Sequence, residues 1–245
     1  MQKIIRIIAG LLVGGLFIAL IVSSTVSSNE NARKAWNDNM TLGDRETAEN
    51  VFYDYTDIMC PYCDKFANAV AAHFDEFTED YIKDKKVYFE LRLTDMLYVA
   101  HKDEGEGAQN SRNAGLAAYC AADQNKFWEY YHEILHKLYE DYHSKGIGVD
   151  RNSEAIPKLE EEYFISVGKH IDGLEYDRFA DCTKNAEKAN ELDRNTQKAM
   201  NITPGGVPYF VFNKYTANGF QGKWDAENYD WEQAKLLLDA GLAEK

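Results

Sequence analysis

Hydrophobic and polar positions alternate between several regimes along the chain. Lys3 and Arg6 precede an uncharged apolar run over residues 7–22, which passes into the small polar stretch 23–28. A basic start, a long apolar run and a small polar exit mark an export segment. Its uncharged length suffices for roughly 20 residues of helix, enough to span a bilayer. Val22 and Ser24 fit a cleavage site poorly. An uncleaved anchor over 1–28 is therefore expected ahead of the alternative, a cleaved export signal, with the amino terminus inside and the rest outside. Residues 29–49 are polar and aperiodic, the pattern of a tether.

The short aromatic run Val51-Phe52-Tyr53-Asp54-Tyr55 predicts a strand. Beyond Cys63, Phe66, Ala69, Val70, Phe74 and Phe77 recur at helical spacing. Val87 to Leu93 predicts a second strand, so a parallel strand–helix–strand unit with a right-handed crossover is expected. A charged loop over 101–107 leads into helical patterns from about 109 to 200, broken by Gly146-Ile147-Gly148 and Pro157. Strand signals return at residues 207–212 and 219–221, and Ala234, Leu237, Leu238 and Leu242 mark a closing amphipathic helix over 231–242. The pattern divides the chain into an anchor (1–28), a tether (29–49), an α/β core (50–95 and 203–245) and an all-helical insertion (96–202).

Composition changes this picture little. The 245 residues are 45% hydrophobic, ample for one sizeable core. A net charge of −14 excludes nucleic acid as a partner, which requires a basic surface to displace counterions. Cysteine usage is more informative. Cys60 and Cys63 form a close pair, while Cys120 and Cys182 are distant singles, too widely spaced for an all-cysteine zinc site.

Cys60-Pro61-Tyr62-Cys63 lies between the first strand and the first amphipathic helix. A thiol attacks a disulfide only as the thiolate, and a helix N-terminus stabilises that charge through unpaired amides and the macrodipole. Pro61 suits the first helical position, where no N–H is needed. This places Cys60 at the cap, exposed and acidic, and Cys63 one turn inward and shielded. Cys60 would form the mixed disulfide with a client and Cys63 would resolve it. A plain stapling disulfide or half a zinc knuckle would also use this spacing, but no second ligand pair accompanies it.

The stretch V-F-Y-D-Y-T-D-I-M-C-P-Y-C-D-K-F, the downstream G-V-P-Y-F-V-F and the insertion segment running from Ala117 to Glu133 resemble the DsbA-like branch of the thioredoxin superfamily. The resemblance extends over roughly residues 50–245. It implies a thioredoxin-like α/β fold with a helical insertion, acting as an extracytoplasmic, bacterial protein thiol–disulfide oxidoreductase without a bound cofactor. Carried over by position, Pro208 is the cis-proline facing the dithiol. Val207 before it, with Tyr62, offers its backbone to an extended client by β-augmentation. Asp54 matches the buried acid that moves protons to and from the inner thiol; burial raises a carboxyl's pKa towards neutrality. The resemblance also implies a Cys120–Cys182 disulfide stapling the insertion. Its partners would be exported proteins with free thiols and a membrane quinone-linked re-oxidant of the DsbB or vitamin-K-epoxide-reductase type. Pro-Tyr stands where strongly oxidising members often have Pro-His, and Tyr62 cannot add positive charge beside the thiolate, so a milder oxidant is expected.

Three alternatives remain at this stage. The same dithiol could run as a reductase or isomerase. A chaperone-like peptide-binding module could carry the close pair as a structural disulfide. His132-Glu133-Ile134-Leu135-His136 matches the zinc-protease pattern H-E-x-x-H. That helix, however, should bury Phe127, Tyr131, Leu135, Leu138 and Tyr142, leaving His136 near the opposite side, and no third ligand is identifiable. His73, His101, His143 and His170 are isolated in sequence and read as surface or packing residues.

Overall fold

The structure is a computed structural model, and it describes residues 35–213, 215–220, 222–223 and 229–243. The expected anchor over 1–28 lies outside the described residues. Among those described, no helix is long and apolar enough to cross a membrane.

Four segments build the sheet around the dithiol. Strand β2 (Asn50–Thr56) runs parallel to β3 (Val87–Leu93), pairing Asp54 with Leu91. On its other side β2 pairs antiparallel with β4 (Tyr209–Phe212), Asp54 opposite Phe210, and β4 pairs with β5 (Thr216–Asn218). The expected strand at 207–212 starts later, at Tyr209, because Val207 and Pro208 leave the ladder through a cis peptide bond. The strand expected at 219–221 falls instead on Thr216–Asn218, and Gly219, at φ 80°, turns the chain out of the sheet.

The polar stretch 29–49 is not a tether throughout. Met40 is buried, and β1 (Thr41–Leu42) closes the sheet's far edge antiparallel to β3, giving the order β1-β3-β2-β4-β5. One buried methionine and a two-residue strand leave no periodic signal in a polar sequence.

Between β2 and β3 lies helix α1 (Pro61–Ala72), which ends at His73 and gives way to a short turn, α2 (Phe74–Glu76), and a wide-wound segment over Phe77–Asp84. Between β3 and β4 the principal helices are α3 (Met96–His101), α4 (Gln109–Ala122), α5 (Phe127–Asp141), α6 (Glu161–Ile165), α7 (Tyr176–Cys182) and α8 (Ala186–Met200). Helix α9 (Trp231–Ala243) closes the chain and packs on β4, where Gly241 lets it approach so closely that a Cβ would lie 2.4 Å from the Phe212 ring.

Alternation along β2 sorts its side chains between two faces. Phe52 faces α1, edge-on to Phe66 at 6.1 Å and stacked on Phe212 at 4.5 Å. Asp54, two residues on, shares that apolar face. Tyr53 and Tyr55 point the other way, towards Arg92, whose guanidinium lies 3.9 Å from the Tyr53 ring. Arg92 forks onto Glu90 at 3.0 and 3.2 Å and donates to the Tyr55 hydroxyl. Alternation in Tyr88-Phe89-Glu90-Leu91-Arg92 suggests one solvated face, yet Glu90 and Arg92 are both buried because helix α8 also packs on this strand. Buried charges persist when they are paired and hydrogen-bonded, as these are.

Cys120 in α4 and Cys182 at the end of α7, 62 positions apart in sequence, are joined by a disulfide. In the chain-entropy account a closed loop of this length stabilises the fold by about 4 kcal/mol. The double variant Cys120→Ser/Cys182→Ser is expected to lose stability of about that size in urea titrations. It should still exchange disulfides with glutathione, since neither sulfur belongs to the Cys60–Cys63 pair.

Candidate active site

Cys60 is the N-cap of α1, with extended backbone (φ −84°, ψ 115°), and Pro61 takes the first helical position. The cap makes no side-chain hydrogen bond, which leaves first-turn amides available to a negative charge on sulfur. Both thiols are free and both are buried. Burial of Cys60, only 4% exposed, departs from the exposed position read from the sequence. The reason is tertiary: the cis-proline loop folds over the helix terminus, and the Val207 carbonyl accepts from Cys60 Sγ at 3.5 Å.

Gly205 and Gly206, at φ 99° and 103°, shape the approach to that loop in a conformation that side-chain-bearing residues rarely adopt. The Val207–Pro208 bond is cis, Pro208 is buried and Val207 is half-buried. The resemblance implied this arrangement; spacing alone did not. Tyr62 is half-exposed, with the Lys65 ammonium 5.2 Å from its ring centre.

Beneath the pair, burial pushes the Asp54 carboxyl up to about 8. Its Oδ1 is buried with no hydrogen-bond partner among the described residues. The Cys63 thiol is also held well above its ordinary value, first by burial, then by the adjacent Cys60; an amide hydrogen bond from Asp57 opposes this, and Asp54 adds its charge. An acid and a thiol that both resist ionisation next to one another can exchange a proton without leaving a net buried charge.

Several groups around the site gave no sequence signal. Tyr131, from α5 in the insertion, is buried near the same groups; burial raises its phenol, followed by the charges of Asp54, Cys63 and Asp64. Asp64, directly after Cys63, is buried and pairs with His143 at 2.6 Å. Burial raises the Asp64 carboxyl while His143 and Asn68 hold it down. The reading of His143 as a packing residue thus acquires a specific partner. An acid following the second cysteine would ordinarily be taken for a solvated first-turn residue.

The H-E-x-x-H helix does not gather a site. His132 lies edge-on to Phe74 at 4.8 Å, and burial lowers it to about 4. His136 is exposed and faces Glu140 at 3.4 Å. Phe127, Tyr131, Leu135 and Leu138 are buried, with Tyr142 half-buried. Among the described residues no group of three His, Cys, Asp or Glu side chains is arranged to hold a metal.

A family model described as thioredoxin matches residues 36–240, nearly all of the described residues. The chain belongs to the thioredoxin family. By class it is a thiol–disulfide oxidoreductase, and its fold is of the DsbA-like kind. The oxidised form of BdbD from Bacillus subtilis is similar, with a TM-score of 0.56 at 14% identity over 83% of this chain and 92% of that one. A thioredoxin-like oxidoreductase from Silicibacter pomeroyi gives 0.52 at 17% identity, over 85% and 95%. Chlamydia trachomatis DsbA gives 0.51 at 13% identity, over 82% and 90%. No curated protein matches the chain. Identities this low carry the fold and leave the chemistry to this chain's own residues.

Proposed function

We propose that the protein is an extracytoplasmic oxidant of thiols, donating the Cys60–Cys63 disulfide to exported proteins. The observation that carries this reading is Cys60 at an uncapped helix N-terminus with the Val207 carbonyl of the cis-proline loop 3.5 Å from its sulfur. A client strand laid along Val207 would bring a cysteine to that sulfur. A client thiolate attacks Cys60 Sγ, the S–S bond to Cys63 breaks, and Cys63 leaves as a thiolate that takes a proton, with Asp54 as the nearby carrier. A second client thiolate then attacks the client sulfur of the mixed disulfide, and Cys60 leaves. The client holds a new disulfide, two electrons have passed to the dithiol, and Cys60 and Cys63 are reduced.

Catalytic roles fall to Cys60, Cys63 and Asp54, with Pro208 shaping the groove and Val207 and Tyr62 meeting the client. Two-electron re-oxidation falls to a membrane quinone-linked partner of the DsbB or vitamin-K-epoxide-reductase type, reached by a chain held at the membrane through residues 1–28. The discriminating measurement is the equilibrium of the Cys60–Cys63 pair with glutathione. An oxidant milder than the strongest members is expected, since Tyr62 adds no charge beside the thiolate. A potential near about −120 mV would refute the mildness, and one near about −270 mV would turn the reading towards a reductase.

A further inference from the structure

Ahead of the dithiol, the loop from Thr56 to Cys60 contains an acid with no assigned part in disulfide exchange. Asp57 is fully buried, and its side chain accepts three hydrogen bonds: from the Met59 amide at 3.0 Å, the Leu97 amide at 2.9 Å and the Ser111 hydroxyl at 2.7 Å. These donors come from three places: the loop itself, the first turn of α3 and the helix α4. Asp95, the N-cap of α3, makes no capping bond of its own, so Asp57 supplies that function from across the fold. Asp95 is held instead by Arg112 at 2.6 Å and by the Thr196 hydroxyl at 2.6 Å, and Arg112 also grips Asp193. The neighbours Ser111 and Arg112 thus each take one buried acid, locking the insertion onto the loop.

The backbone of the same residue holds the outer cysteine: the Asp57 carbonyl accepts from the Cys60 amide at 3.0 Å. We propose that Asp57 is a positioning residue of the dithiol: its carboxylate, gripped by α3 and α4, fixes the loop whose carbonyl seats Cys60 at the helix N-terminus. The helical insertion thereby bears on the thiol chemistry through one side chain. Burial raises its carboxyl to about 6 even though the Leu97, Ser111 and Met59 donors hold it down; the neighbouring Asp95 adds to the rise. The inference rests on the redox reading of Cys60 and Cys63 and assigns part of their tuning.

A helix N-terminus favours Cys60 as a negatively charged thiolate over the neutral disulfide. Loosening the loop that seats Cys60 there should therefore disfavour the dithiol and make the protein a weaker oxidant. Asp57→Asn keeps the size but presents an NH2 group to at least one of the present donors. Its equilibrium constant with glutathione is expected to shift about fivefold towards the protein disulfide, the equivalent of one ordinary hydrogen bond. Ser111→Ala, a milder change that keeps two of the three donors, should shift it in the same direction by about twofold. Thermal unfolding of both redox forms completes the thermodynamic cycle: the reduced form should lose more stability than the oxidised form. Equal losses in both forms, with unchanged exchange constants, would make Asp57 an ordinary clamp and overturn the inference. Should Asp57→Asn fail to fold, Ser111→Ala decides alone. If the unaltered protein does not exchange with glutathione, the redox reading itself fails, an outcome distinct from the first.

Discussion

Cys60→Ser is expected to reduce disulfide transfer to the uncatalysed background, because no other sulfur can accept the client's attack. Cys63 cannot replace it: it sits one turn inside the helix, 2% exposed, beneath the outer sulfur. Its thiol is raised by burial and by its neighbour, which makes it a poor nucleophile towards an external disulfide. Cys63→Ser should behave differently. In it the Cys60 thiolate can attack a client's existing disulfide, expelling one client sulfur as a thiolate, and with no Cys63 to attack in turn the mixed disulfides should accumulate one to one and be visible by mass spectrometry after acid quenching. The pair of variants separates a redox role from peptide binding. A binding module with a structural disulfide would retain client affinity in Cys60→Ser and trap nothing in Cys63→Ser. Normal turnover by Cys60→Ser would sink the proposed mechanism outright.

Asp54→Asn should produce two effects of opposite sign. Burial raises the folded-state carboxyl to about 8, against an unfolded value of about 3.9. The folded chain therefore binds more protons than the unfolded chain between those values. Linkage then requires that the contribution of Asp54 to stability is fully present below about pH 4, declines by up to ~1.4 kcal/mol per pH unit, and is lost as the pH rises through about 8. At neutral pH the wild-type chain holds a carboxyl whose preferred state in water is ionised. Asn removes that cost, and a gain of about 2–4 kcal/mol is expected at pH 7, partly offset by leaving an amide in the same unpartnered place. Urea titrations at pH 5, 7 and 9 check this, since the variant's stability should vary less steeply with pH. The second effect is kinetic. Without a proton carrier beside Cys63, its departure and return as a thiolate should slow by on the order of 10²-fold. A variant neither stabilised nor slowed would place the Asp54 proton outside the reaction.

In the proposed mechanism a proton carrier and a positioning acid divide the work at the dithiol. Among the described residues Asp54 has no hydrogen bond to Oδ1 and is raised to about 8, whereas Asp57 has three donors and is raised only to about 6. The two lie three residues apart in a single loop-and-strand segment. Alternation turns Asp54 to the apolar face under α1, while the loop turns Asp57 towards the polar edge of the insertion. Identical side chains thus acquire different chemistry from their surroundings, which no composition count could distinguish.

Local pattern alone determined much of this protein. The short aromatic run of residues 51–55, flanked by polar residues, was enough for β2, and the run 87–93 coincides with β3. Pro61 after a capping cysteine predicted where α1 begins, because the missing amide and preset φ act within one turn. The stripe of α5 foretold that His136 would be exposed, because helical period fixes which side chains share a face. Tertiary structure decided what depends on segments distant in sequence. The Cys60 sulfur is covered by Val207, 147 residues away, and Ser111 is 54 residues from the carboxylate it holds. Glu90, Arg92, Asp57 and Asp64 are all polar in the sequence and all buried, because helices from the insertion and paired side chains replaced the water they lost. Periodicity reports whether a residue prefers water; only the assembled neighbours determine whether something else can take water's place.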